Sequence, residues 1–187
     1  MNEDERRRVV GLLKDSRDSL LALVDPMTDE QWSYRENDDR WSVSEIVEHL
    51  GIVERNLFGQ MKKALENPVN PSWREATAGK TELIERILLD RSQTREAPLS
   101  SRPTAALVRE DALYRYSSRR ATTLAFTEES EFSLVEYTRD HFRPIYGTLN
   151  AYQWLLYVPL HNLRHNQQVA EIAASSNFQT LGIKSGA

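Results

Sequence analysis

The sequence predicts an all-α protein, a four-helix bundle with one long crossover connection between helices two and three. Three observations support this fold class. Apolar residues recur at spacings of three and four over four long segments, which is the pattern of one helix face. Each segment has about 22 residues, enough to span ~33 Å. The connection between the second and third segments is more than twice as long as the one between the first and second.

The first two predicted helices have recognisable boundaries. The first covers about residues 3–24 and ends before an Asp-Pro pair. The second covers about residues 41–65 and is followed by an Asn-Pro pair. Near its start, Ser42 and Glu45 stand in the S-x-x-E relation of a capping box, in which each side chain binds the other residue's backbone N–H. This pattern indicates the start of the second helix.

The long connection is the main topological feature. It has about 40 residues, several prolines and a short helical stretch at residues 81–90. A crossover of this length allows the two helices that it joins to run parallel. The third helix is predicted at about residues 106–128 and the fourth at about 146–174. Between them, residues 132–137 alternate imperfectly between apolar and polar and predict a short extended piece.

Length and composition restrict the possible functions. The 187 residues fit a single domain, residues 1–187. A net charge of −4 without a basic face argues against a nucleic-acid partner. No apolar run approaches the ~18 residues of a membrane span, and no signal peptide is recognisable, so we expect no membrane partner and a cytoplasmic location. The chain has no cysteine, which excludes disulfides, thiolate ligands and a cysteine nucleophile.

The segment from His161 to His165 carries the strongest functional signal. The chain has four histidines, and these two lie four residues apart on the fourth predicted helix, hence on one face. His49 lies on the apolar stripe of the second predicted helix and should also face inward. Three neutral imidazoles from two facing helices could bind one divalent metal ion and leave positions open for water or substrate.

Other interpretations of these residues remain open. Histidine pairs at this spacing also arise by chance, and a single histidine on an apolar stripe is often a hydrogen-bonded core residue. We interpret His141 as a loop residue that orients or caps the start of the last helix. Glu45 is a candidate general base for hydrolysis, with its capping role as the alternative. Candidates for contacting the metal-bound imidazoles or the substrate are Asn56, Tyr157 and Gln168.

Three stretches, residues 41–50, residues 97 onward into the third helix, and residues 141–168, resemble the DinB-like superfamily of bacterial four-helix-bundle proteins. That superfamily includes YfiT-type hydrolases, bacillithiol S-transferases and, more distantly, mycothiol-dependent maleylpyruvate isomerases. Its members bind a divalent metal, usually nickel or zinc, through positions that correspond here to His49, His161 and His165. Where the family often has His-Pro before the fourth helix, this chain has His141-Phe142-Arg143-Pro144.

The resemblance implies a metal-dependent enzyme, a thiol S-transferase or a hydrolase, with nickel or zinc as cofactor. Its partner would be a small-molecule substrate such as a low-molecular-weight thiol, and the protein would form a homodimer. Two alternatives belong to other functional classes. One is a non-catalytic metal-binding or stress-response accessory protein, and the other is a structural dimeric bundle in which the histidines only pack.

Overall fold

The computed structural model of the protein describes residues 1–93 and 96–183, and the fold is mostly helical. The α-helices in these ranges are α1 (Glu3–Val24), α2 (Asp29–Ser33), α3 (Val43–Leu65), α4 (Trp73–Ala76), α5 (Lys80–Leu89), α6 (Arg109–Glu129), α7 (Ala151–Ala173) and α8 (Ser176–Ile183). A 3-10 turn covers Leu99–Ser101. Two short strands, β1 (Thr138–Asp140) and β2 (Thr148–Asn150), pair antiparallel. No helix in the described ranges has the length and apolar character needed to cross a lipid bilayer.

Capping boxes set the start of several helices. Ser42 caps α3, its hydroxyl accepts a hydrogen bond from the Glu45 N–H, and the Glu45 carboxylate accepts one from the Ser42 N–H. The predicted capping box is therefore confirmed. Asn2, Thr28 and Asn150 cap α1, α2 and α7 in the same way. Each box satisfies backbone donors that the first helical turn leaves unpaired.

The structure corrects two boundaries. The fourth long helix, α7, begins at Ala151 and not near residue 146, because residues 148–150 pair with β1 and Asn150 then caps the helix. The extended piece predicted at residues 132–137 is wrong, since these residues contain turns and the first strand begins at Thr138. The all-α prediction describes the fold apart from this two-stranded sheet.

Four long helices enclose the core. Helices α1 and α3 each pack against both α6 and α7. Glu54 of α3 binds Arg120 of α6, and the ring of Phe58 lies edge-on against Phe126. The paired positions advance in the same direction along both helices, so α3 and α6 run parallel. Helix α5, within the long connection that joins them, packs on α7.

A polar layer divides the core into two apolar clusters. At its centre Arg120, which is 1% exposed, donates to both carboxylate oxygens of Glu54 at 3.0–3.1 Å. It also donates to the Ser16 hydroxyl at 2.9 Å and to Asn162 Oδ1 at 2.7 Å. The Asn166 amide donates to the Ser16 carbonyl at 2.8 Å. These bonds join α1, α3, α6 and α7 at the level of α7 that carries His161 and His165.

Candidate metal centre

Three histidines come together between α3 and α7. One ring nitrogen from each of His49, His161 and His165 lies within 4.8 Å of the other two, and the three could hold a metal ion. The ring centroids are 4.6 Å apart for His161 and His165, and His49 lies 5.2 Å and 4.9 Å from them. The spacing of four residues puts His161 and His165 on one face of α7, and packing of α3 on α7 adds His49.

The spacing and chemistry of these nitrogens fit a divalent ion. Two imidazole nitrogens that each lie ~2.1 Å from one ion are at most ~4.2 Å apart, so ring shifts under ~1 Å close the site. The Nδ1 atom of His49 lies 2.6 Å from the Ser101 carbonyl oxygen, and Nδ1 of His165 lies 2.9 Å from Gln168 Oε1. Both partners are acceptors, so each Nδ1 carries the proton and each Nε2 is left as a potential ligand.

The surroundings keep all three imidazoles neutral. Burial lowers the pKa of His49 to about 4, although the bond to the Ser101 carbonyl acts in the opposite direction. Burial, then the neighbouring histidines, then the guanidinium groups of Arg164 and Arg143 hold the pKa of His161 well below its usual value. The pKa of His165 is also well below its usual value, chiefly through burial. Neutral imidazoles can bind a metal without first losing a proton.

Aromatic rings form two walls of the cluster. The Trp41 ring lies 4.7 Å from the His49 ring and stacks on His165 at 6.4 Å, between centroids. Tyr157 stacks on His161 at 6.3 Å. Tyr157 is among the residues predicted from the sequence to contact an imidazole or the substrate, whereas Trp41 is not. The position of Trp41 immediately before a capping box was the available signal.

The long connection is hydrogen-bonded to α3 beside the cluster. In addition to the bond from His49 to Ser101, the carboxylate of Glu48 accepts hydrogen bonds from the Thr104 N–H at 3.1 Å, the Thr104 hydroxyl at 2.7 Å and the Ala105 N–H at 3.0 Å. Ala105 has a φ of +56°, a left-handed conformation that costs energy for a residue with a Cβ. The three bonds to Glu48 hold this strained turn in place. Nothing local in the sequence indicated this role for Glu48.

Glu45 lies at the start of α3, and both of its carboxylate oxygens are bound there. One carboxylate oxygen accepts bonds from the Ser42 N–H at 2.8 Å and the Ser42 hydroxyl at 3.0 Å. The other pairs with the Arg35 guanidinium. The capping interpretation of Glu45 is therefore confirmed. No hydrogen bond in the described ranges joins Glu45 to the histidines, so its role as general base stays a prediction.

The remaining predicted residues divide into two groups. Gln168 binds His165, and Tyr157 lies against His161 with its hydroxyl 3.3 Å from that of Tyr146. Asn56 lies about two turns beyond His49 on α3 and is half-buried, and its contact with the cluster or a substrate stays a prediction.

His141 lies outside the cluster and shapes the loop before α7. Its Nδ1 accepts the Arg143 N–H at 2.9 Å, and its backbone N–H donates to the Gly147 carbonyl at 2.8 Å. The His141 ring stacks on Trp154 at 4.7 Å and on Tyr157 at 5.6 Å. Burial, as the largest cause, lowers the pKa of His141 to about 4. These contacts agree with its interpretation as an orienting loop residue.

The protein is mostly helical, and its three convergent histidines on facing helices could hold a divalent metal ion within the helical core. A model of the DinB superfamily matches residues 12–169, a range that contains all four histidines. The chain therefore belongs to the DinB superfamily, as the resemblance in the sequence implied. No curated protein and no solved structure matches it.

Proposed function

We propose that this protein is a metal-dependent enzyme that binds one nickel or zinc ion through His49, His161 and His165. The proposed reaction transfers a low-molecular-weight thiol to an electrophilic small molecule. In the proposed architecture, the four long helices form a four-helix bundle whose second and third members are joined by the crossover. The observation that carries the proposal is the convergence of three ring nitrogens within 4.8 Å on two packed helices.

The donor set determines the chemistry that the site can support. Three neutral ligands leave a bound divalent ion its full charge and open coordination positions, so it would act as a Lewis acid that lowers the pKa of a coordinated thiol or water. The chain itself holds the imidazoles neutral and excludes water around His49 and His165, which are 3% and 8% exposed. In the reaction the thiol proton goes to solvent, the sulfur bonds to the electrophilic carbon, and the leaving group departs with its electron pair.

The neighbouring carboxylates favour thiol transfer over hydrolysis. A general base assists hydrolysis by taking a proton from water, and a carboxylate near the ligands could act as one. Glu45 is bound to Ser42 and Arg35, and Glu48 is bound to the turn at residues 104–105. A thiol has a lower pKa than water even before it binds a metal, so it depends less on such a base. Because the chain has no cysteine, the thiol would come from a co-substrate.

A non-catalytic metal-binding or stress-response role is the second candidate. The burial of His49 and His165 favours it, since an enclosed ion can be held without turnover. His161 is more exposed than either and marks the side by which a substrate would enter. We further propose a homodimeric, cytoplasmic protein without a nucleic-acid partner, for which a net charge of −4 gives no attraction to phosphates.

The test measures the rate at which thiols react with a chloroaromatic electrophile in the presence of nickel- or zinc-loaded protein. We expect acceleration by the parent protein and by Arg139→Gln, because Arg139 donates to Gln60 and not to the histidines. His161→Ala should lose the acceleration together with the metal. Equal rates for the parent and His161→Ala would contradict the proposal, and bound metal without acceleration of any thiol would favour the non-catalytic role.

A further inference from the structure

Arg143 lies in the loop between β1 and β2 and is tied to the long connection. Its backbone N–H donates to His141 Nδ1 at 2.9 Å. Its guanidinium donates through Nη2 to the Glu96 carbonyl at 2.8 Å. The side chain is half-buried, so it is held in place yet remains accessible from solvent.

Two chains of contacts connect this guanidinium to the histidine cluster. The first is a series of stacked rings in which Tyr157 lies between His141 and His161, at centroid distances of 5.6 Å and 6.3 Å. The second is the segment 96–101, whose first residue binds Arg143 and whose last residue binds His49. From residue 96 to residue 101 the chain spans at most ~18 Å, which sets an upper limit on the separation of these two contacts. The charge of Arg143 is also one of the causes that lower the pKa of His161, after burial, the other histidines and Arg164.

In the described ranges, the Arg143 guanidinium donates fewer hydrogen bonds than those of Arg91 and Arg164, two other arginines near the cluster. Arg91 pairs with Glu171, and Arg164 donates to the backbone carbonyls of Leu88, Asp90 and Gln93. In the described ranges no carboxylate forms an ion pair with Arg143, and one neutral carbonyl accepts from its guanidinium. A guanidinium has five N–H donors, and a partly buried one gains most from a carboxylate that accepts two of them.

We propose that Arg143 binds a carboxylate of the small-molecule substrate or co-substrate whose other end reaches the three-histidine centre. This inference rests on the proposed function and specifies its substrate class. The planar guanidinium of one arginine matches a carboxylate, which can accept two of its N–H groups side by side. The three histidines are neutral, and the nearby carboxylates of Glu45 and Glu48 are already bound. A metal-loaded centre and Arg143 would therefore both attract negatively charged groups.

The test compares matched thiols on cobalt-loaded protein, in which thiolate binding produces a charge-transfer absorption band. The probes are 3-mercaptopropionate and 6-mercaptohexanoate, each paired with its uncharged carboxamide. We expect at least one carboxylate to bind the parent protein about tenfold or more tightly than its amide, because charge-assisted hydrogen bonds exceed neutral ones by about that factor. Arg143→Gln should abolish the preference, and Arg143→Lys should restore part of it.

Arg139→Gln is the matched control. Arg139 is a half-buried arginine of β1 that donates to Gln60 at 2.9 Å, so its removal makes the same change of charge on the same hairpin. The preference should persist in this variant. A preference that survives Arg143→Gln, or that disappears equally in Arg139→Gln, would overturn the inference. Failure of the parent to bind cobalt would overturn the proposed function as well, and the metal content distinguishes that result.

Discussion

Protonation of His49 should destabilise the metal-free protein as the pH falls. In the folded protein burial lowers the pKa of His49 to about 4, whereas an unfolded chain has a histidine pKa of about 6.5. Between these values the unfolded state binds more protons, so the free energy of unfolding decreases as the pH falls. The contribution of His49 is fully present above pH ~6.5 and is lost on the way to pH ~4.

The magnitude follows from the size of this shift. A shift of roughly 2.5 units corresponds to about 3 kcal/mol, of which about 2 kcal/mol is lost between pH 7 and pH 5. The variant His49→Gln removes the titrating group and keeps a side-chain N–H that can donate to Ser101. The parent should therefore lose about 2 kcal/mol more stability than His49→Gln over this pH range.

The assay is urea unfolding of chelator-treated parent and variant protein at several pH values from 7 to 5, followed by circular dichroism. The difference between the two proteins isolates His49, because carboxylates and the other histidines titrate in both. Parallel losses of stability in parent and His49→Gln would refute the reasoning, since they would mean that His49 is not held neutral by burial.

Three further predictions concern the buried ion pair, the turn held by Glu48 and the metal site. Arg120→Met should lower the free energy of unfolding by about 3–5 kcal/mol, because it leaves the buried Glu54 carboxylate unpaired, and unfolding curves that match the parent would contradict this. Glu48→Ala should cost about 1–3 kcal/mol by leaving backbone N–H groups of the connection without acceptors, with faster proteolysis of that connection as the measurement. Zinc at about 100 times its dissociation constant should stabilise the parent by about 2.7 kcal/mol and leave His161→Ala unchanged, as measured by urea unfolding; equal stabilisation of both would place the binding elsewhere.

The parts of the fold that the sequence predicts are those governed by local rules. The bounds of the first helix and the end of the second follow from apolar spacing and breaking residues, and the start of α3 follows from the Ser42 and Glu45 capping box. The common face of His161 and His165 follows from helix geometry alone. The apolar stripe of the second helix places His49 inward, and the resemblance adds that it meets the pair because the family's pattern records a contact between distant segments.

The parts that the sequence does not predict depend on contacts between distant residues. The two strands have three residues each, too few to show a period, so the start of α7 was placed too early. Arg120 and Glu54 are 66 positions apart, and neither looks different from a surface charge in the sequence. Glu48 likewise becomes informative only when the connection folds back over α3. Polar residues of this kind acquire their role from burial, which one-dimensional spacing does not reveal.

The most direct test of the metal centre is elemental analysis of untagged protein purified without chelators, with the His161→Ala/His165→Ala double variant and His141→Phe alongside. We expect about one nickel or zinc ion per chain in the parent and in His141→Phe, and none in the double variant. A parent protein that holds no metal after reconstitution, or a double variant that keeps it, would show that the three histidines are not a metal site.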